Sequence, residues 1–116
     1  MIYRILTLND ISSRGLARLP RERYEVGAAV TRPDAILVRS ADLHGFDVPP
    51  GVRAIGRAGA GVNNIPVAEM SRRGIPVFNT PGANANAVKE LVLAGLLIGA
   101  RNICQAWAFA RSLAGE

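Results

Sequence analysis

Apolar residues fall in short blocks through the first two thirds of this chain and in one long block near its end. Ile2–Leu8 alternates apolar and polar positions and is rich in strand formers, which predicts a first strand. Ile11–Leu19 reads as a short helix with Ser12 or Ser13 near its start, and Pro20 stops it. Tyr24–Val30 is a second strand, weakened by Gly27. After a turn at Thr31–Asp34, Ala35–Val38 forms a fully apolar third strand ending at Arg39 and Ser40. Pro49-Pro50-Gly51 leads to a fourth strand at Val52–Ile55. Val67–Arg73 is a brief helix closed by Gly74 in the left-handed position beyond its end. Ile75–Phe78 is the fifth strand, terminated by Asn79-Thr80-Pro81-Gly82. From about Asn86 the chain is helical and apolar on nearly every face, with Asn102 marking a bend before Ile103–Leu113 continues.

Strands alternating with helices at this pitch imply an α/β fold: a flavodoxin-like parallel sheet of about five strands with helices on both faces, followed by a long apolar C-terminal helix. Ligands of such sheets sit beyond the carboxyl ends of the strands. Three of those ends are polar or glycine-rich: Arg39-Ser40, Gly56–Gly61 and Asn79–Asn86. The middle one combines Gly56, Gly59 and Gly61 with Arg57. Asn63 and Asn64 then offer N-cap oxygens, and Pro66 suits the first turn of the helix that follows. Exposed backbone N–H groups, a helix start and a fixed positive charge together suit a small anion. The spacing is not a dinucleotide fingerprint, since Gly59-x-Gly61 would need a third glycine where Asn64 stands. No Gly-Lys-Ser/Thr follows either.

Composition narrows the function classes. The chain has 116 residues, 49 % apolar and 20 % charged, as a globular domain does. Its longest apolar run, Leu91–Ala100, is about half of what a membrane span needs, and Arg4 interrupts the apolar start, unlike a signal peptide. Cys104 stands alone and no Cys/His cluster suggests a metal, so a reducing, cytoplasmic setting is expected. The net charge is +5, and every basic residue except Lys89 is arginine, which favours carboxylate and phosphate recognition. Nucleic acid is a poor fit, because the six aromatics do not alternate with the arginines as a stacking platform. Arg14, Arg18 and Arg21 share one face of a short helix and read as a solvated surface. His44 reads as a surface residue.

The terminal helix offers more apolar surface than one side of a small sheet can use. Either the chain self-associates through Val88–Phe109, or it is part of something larger, and Glu116 looks an arbitrary place to stop. A stand-alone α/β module binding a small anion or a protein partner, without catalysis, is the competing expectation.

Four blocks carry a family likeness: Ala35-Ile-Leu-Val-Arg-Ser-Ala, Ile55-Gly-Arg-Ala-Gly-Ala-Gly-Val-Asn-Asn-Ile, Gly74-Ile-Pro-Val-Phe-Asn-Thr-Pro-Gly-Ala-Asn, and Val88-Lys-Glu-Leu-Val-Leu-Ala with Ala100-Arg-Asn-Ile. In order and spacing they resemble the D-isomer-specific 2-hydroxyacid dehydrogenases. The resemblance implies a two-domain enzyme with NAD in the cleft. Residues 1–84 would be the substrate-binding domain, and 85–116 the helix crossing to an NAD-binding Rossmann domain not contained in this sequence. It further implies that the N–H groups of Gly59, Ala60, Gly61 and Val62 hold the substrate carboxylate. Arg39 and Arg57 would attract a phosphate, with Ser40 beside them. Ala60 would approach the nicotinamide, and Asn84 would lie near the cleft. Arg39 and Arg57 narrow the likeness to members with a phosphorylated substrate. The family's catalytic residues and glycine fingerprint lie on the other domain, so this chain alone is expected to be inactive. Two departures stand out: Asn63 replaces the aspartate of many relatives, and Val30–Asp34 replaces a helix they usually carry.

Overall fold

A computed structural model describes residues 1–114, so Glu116, the doubtful chain end, lies outside the described residues. The chain divides into two compact units, Met1–Gly82 and Ala83–Glu116. The first holds five strands: β1 (Tyr3–Leu8), β2 (Tyr24–Gly27), β3 (Ala35–Val38), β4 (Ala54–Arg57) and β5 (Val77–Phe78). All neighbours pair in parallel, in the order β2-β1-β3-β4-β5. This is the flavodoxin-like arrangement, whose direction of winding reverses between β1 and β3.

The register decides where the core forms. Leu6 lies beside Ile36, Ile36 beside Ile55, and Ile55 beside Val77, so these side chains share one face of the sheet. Residues from the last two connections, among them Leu43, Val48, Val52, Ile65, Met70 and Ile75, close over that face. Ile36 and Ile55 are fully buried, and burying each stabilises the fold by about 1.5–3 kcal/mol. Right-handed crossovers send the β1–β2 connection, with α1 (Ser13–Leu16), over the opposite face. There Leu16 and Leu19 line a trough with Tyr24 and Val26 of edge strand β2.

Several element boundaries differ from the sequence reading. The fourth strand lies two residues later than expected, because pairing with β3 places Val38 opposite Arg57. Val52 is buried all the same, in the turn before β4, where its N–H donates to Pro49 O at 3.1 Å. The first helix keeps only four residues, so of Arg14, Arg18 and Arg21 only Arg14 lies on it. Strand β2 stops at Gly27, and no helix intervenes before β3. Helix α2 (Val67–Arg72) takes Pro66, not Asn63 or Asn64, as its N-cap residue. Gly74 follows it at φ 70°, the left-handed conformation expected of it.

The second unit consists of α3 (Ala85–Ala100) and α4 (Ile103–Ser112), so the long apolar helix is a bent pair. The bend is 57°, and Asn102 sits in it at φ 51°. Asparagine tolerates that left-handed conformation better than most residues. Neither helix buries a residue, and Leu91, Leu96, Leu97, Trp107 and Phe109 are each more than 60 % exposed. No single described helix is long and apolar enough to cross a membrane.

Candidate anion-binding site

The carboxyl ends of β3, β4 and β5 lie side by side, and the glycine loop that leaves β4 is tied down through its carbonyl groups. Gly59 O accepts the N–H of Thr80 at 2.9 Å, and Val62 O accepts that of Ile65 at 3.0 Å. Ala60 O accepts Asn79 Nδ2 at 2.6 Å, and Gly61 O accepts Arg57 Nη1. A trans peptide points its C=O and the following N–H in opposite directions. Each anchored carbonyl therefore turns the next amide away from its anchor: Thr80 orients the N–H of Ala60, Asn79 that of Gly61, and Arg57 that of Val62. Among the described residues, no protein group accepts a hydrogen bond from the N–H of Gly59, Ala60, Gly61 or Val62. Ala60 and Gly61 are exposed, and Gly59 and Val62 half-buried. Unpaired main-chain donors on one short loop suit an anionic oxygen.

Arg57 is the strut beneath this loop. It is the last residue of β4, and its Nε donates to Arg39 O at 2.9 Å while Nη1 reaches Gly61 O. Two of its five N–H donors thus join the ends of β3 and β4. The two glycines are needed for this approach. A Cβ on Gly59 would lie 3.2 Å from Arg57 Cζ, and one on Gly61 would lie 3.2 Å from Nη1. Arg57 therefore lies against the backbone of Arg39, not on a remote edge. The guanidinium of Arg39 is exposed and makes no hydrogen bond or ion pair with the described residues.

Two asparagines, Asn9 in the bend after β1 and Asn64 beyond the glycine loop, also bond across the fold. Asn9, at φ 68°, accepts the N–H groups of Ser40, at 3.0 Å, and of Ala41 on its side-chain oxygen. It thereby fixes the backbone at the end of β3. Asn64 donates through Nδ2 to Ala41 O at 2.7 Å, while its Oδ1 is buried without a protein donor among the described residues. Neither residue, nor Asn79, carried a local signal that distinguished it from an ordinary turn residue. Asn84 belongs to the second unit, where it precedes α3 without a side-chain cap and accepts the N–H of Val88 at 3.0 Å.

Close to the end of β3, Asp42 pairs with His44: Oδ1 lies 3.0 Å from the His44 N–H and 2.6 Å from Nδ1. The backbone N–H first, then the imidazole, hold the Asp42 carboxyl below its ordinary 3.8. Both side chains are exposed. Among the described residues no three His, Cys, Asp or Glu side chains gather as metal ligands would.

An all-parallel sheet in this order, with unpaired main-chain amides at its strand ends, defines a doubly wound α/β domain. The chain belongs to the family described as D-isomer specific 2-hydroxyacid dehydrogenase, catalytic domain, which matches residues 9–111. Among characterised relatives, D-3-phosphoglycerate dehydrogenase of Mycobacterium leprae is 37 % identical over 94 residues, covering 78 % of this chain and 18 % of that protein. Hydroxypyruvate reductase of Thermotoga maritima is 38 % identical over 88 residues, covering 73 % of this chain and 29 % of its own length. The crystal structure of an NADPH-dependent glyoxylate/hydroxypyruvate reductase from Sinorhizobium meliloti superposes with a TM-score of 0.75 at 30 % identity. It covers 96 % of this chain and 38 % of that one. An NAD-bound 3-phosphoglycerate dehydrogenase from Entamoeba histolytica, 24 % identical, shares the fold with a TM-score of 0.67 over 85 % of this chain and 39 % of that one. The chain thus spans well under half the length of these proteins.

Proposed function

We propose that this chain is the substrate-binding portion of a nicotinamide-dependent dehydrogenase acting on the CH–OH group of a 2-hydroxy acid. The substrate we infer, from the family likeness together with Arg39 and Arg57, is 3-phosphoglycerate, oxidised to 3-phosphohydroxypyruvate as in serine biosynthesis. The observation that carries this reading is the glycine loop, whose carbonyls are all anchored inward and whose amides at Ala60, Gly61 and Val62 are left to an external acceptor. In this account they receive the substrate carboxylate. Arg39, with its guanidinium unengaged, attracts the phosphate, and Arg57 adds positive charge from beneath the loop while holding its shape. Ser40 lies beside them, and Ala60 is the loop residue nearest the nicotinamide. Asn84 borders the cleft from the segment that leaves this domain.

In the complete enzyme the hydroxyl proton would pass to a base outside these residues, and NAD, held outside them, would supply the acceptor for the hydride from the substrate carbon, giving the 2-oxo acid. This chain carries no dinucleotide fingerprint and does none of that redox chemistry. It fixes the substrate's position and neutralises its charge, which is how binding energy is directed into orientation. The setting is cytoplasmic, and the enzyme is a homo-oligomer.

Reading the coding sequence beyond residue 116, and assaying the full product for nicotinamide reduction with 3-phosphoglycerate, tests this. A second βαβ unit with Gly-x-Gly-x-x-Gly and activity on a phosphorylated 2-hydroxy acid are expected. A stop codon at that point, with carboxylate binding and no activity, favours a stand-alone anion-binding module.

A further inference from the structure

Two of the bonds that shape the glycine loop come from the segment that leaves the sheet toward the second unit. Asn79 and Thr80 follow β5 directly, then come Pro81 and Gly82, and the first unit ends there. Asn79 Nδ2 donates to Ala60 O at 2.6 Å, and the Thr80 N–H donates to Gly59 O at 2.9 Å. Thr80 Oγ1 adds a longer contact to Arg57 O at 3.4 Å. Among the described residues, Asn79 alone holds the Ala60 carbonyl.

That carbonyl belongs to a peptide able to turn over. A flip of the 60–61 peptide changes ψ of Ala60 and φ of Gly61, and glycine accepts positive φ about as readily as negative. Ala60 and Gly61 are exposed, so packing does not prevent the flip. A flipped peptide would present a carbonyl where the loop needs an N–H, replacing attraction for an anion with repulsion.

We propose that Asn79 is a positioning residue for anion binding, holding the Ala60–Gly61 peptide so that the Gly61 N–H faces the ligand. Through Asn79 and Thr80, occupancy of the loop is also linked to the backbone at 79–82, the connection between the units. This rests on the reading that Gly59–Val62 binds a 2-hydroxy acid carboxylate. The side chain of Asn79 is exposed and lies outside the hydrophobic core, so its replacement leaves the folded chain in place.

The test is an amide-resolved NMR titration of the full 116-residue chain with D-3-phosphoglycerate and D-glycerate, in wild type, Asn79→Ala and Asn79→Asp. Urea midpoints are measured in parallel. In the wild type the amides of Ala60, Gly61 and Val62 shift, and those of Thr80 and Gly82 follow the same saturation curve. Asn79→Ala weakens binding about five- to tenfold, as loss of one oriented donor implies. It also suppresses the responses of Gly61 and Gly82 while the urea midpoint barely moves. Asn79→Asp, the same shape without the donor, weakens binding at least as much. A wild type that responds, with an Asn79→Ala chain responding equally at Gly61 and Gly82, overturns the positioning role alone. A wild type with no response at residues 60–62 overturns the carboxylate reading and this proposal with it.

Discussion

Gly59→Ala tests whether Arg57 is the strut that shapes the anion loop. The new Cβ would lie 3.2 Å from Arg57 Cζ, 3.3 Å from Nη1 and 3.4 Å from Nε, against ordinary carbon contacts of about 3.5–4.0 Å. The guanidinium must therefore move by several tenths of an ångström. It is held by its bonds to Arg39 O and Gly61 O, and hydrogen bonds from charged donors contribute about 1.5–3 kcal/mol each, less where water reaches them. Disturbing both at this exposed site costs about 1–2 kcal/mol. Gly59 is not in the left-handed region, so alanine also restricts the unfolded chain and returns about 0.4–1 kcal/mol. The net expectation is a loss of roughly 0.5–1 kcal/mol, reversing to a small gain when the same change is made in an Arg57→Ala background. The assay is a double-mutant cycle in urea, followed through exchange protection of the Ile36 and Ile55 amides, which belong to the first unit. A coupling of about 1–2 kcal/mol is predicted by this arithmetic. Equal costs in both backgrounds would refute the strut. Gly27→Ala, where nothing lies within 4 Å of the added methyl, serves as the control and should lack any coupling to Arg57.

Three further expectations follow from the same geometry. In the complete enzyme, Arg57→Ala should raise KM for a phosphorylated 2-hydroxy acid more than about tenfold, since it removes both a charge and the loop's support; steady-state kinetics showing an unchanged KM would remove that residue from the site. The Asp42 carboxyl titrates below its ordinary 3.8 when folded, so its contribution to stability is complete above that value and is lost as pH falls through the lowered one. Carboxyl NMR of His44→Ala should move the Asp42 midpoint only part of the way back, because the backbone N–H at position 44 remains; a full return would contradict the order of causes. Exposed Leu91, Leu96, Leu97, Trp107 and Phe109 predict that the isolated chain self-associates through α3 and α4, and light scattering showing a monomer at high concentration would count against it.

Much of the fold was legible because strand signals here are local: Ala35–Val38 is apolar, short and bounded by turn residues, and it forms β3 unchanged. The fourth strand was misplaced because an apolar run marks burial, not pairing. Val52 is buried in a turn, whereas β4 takes in Gly56 and Arg57 because β3 supplies their partners. The loop stood out as a candidate anion site from its glycines and arginine. How its amides are oriented was not: Arg57 and Ile65 hold Gly61 O and Val62 O from nearby, but Asn79 reaches Ala60 O from 19 residues away, Thr80 reaches Gly59 O from 21, and Arg57 is itself steadied by Arg39 O, 18 residues back. An asparagine suits a turn, a cap or a distant carbonyl equally well, and only the tertiary structure selects among them. Asn64 and Asn79 fell on the distant side of that choice, and Asn9 serves both, turning the chain at φ 68° while accepting the Ser40 and Ala41 N–H groups. Asn102 stayed local, since a helix bend needs nothing beyond its own left-handed backbone.

The central claim is that outward-facing amides of one glycine loop receive a substrate carboxylate. A crystal structure of the 116-residue chain soaked with D-3-phosphoglycerate tests it most directly. The account predicts carboxylate oxygens within about 2.7–3.2 Å of the backbone nitrogens of Ala60, Gly61 or Val62, with the phosphate toward Arg39. Ligand bound instead at the opposite ends of the strands, in the trough lined by Tyr3, Tyr24, Arg23 and Arg53, with the loop amides left to solvent, would contradict it.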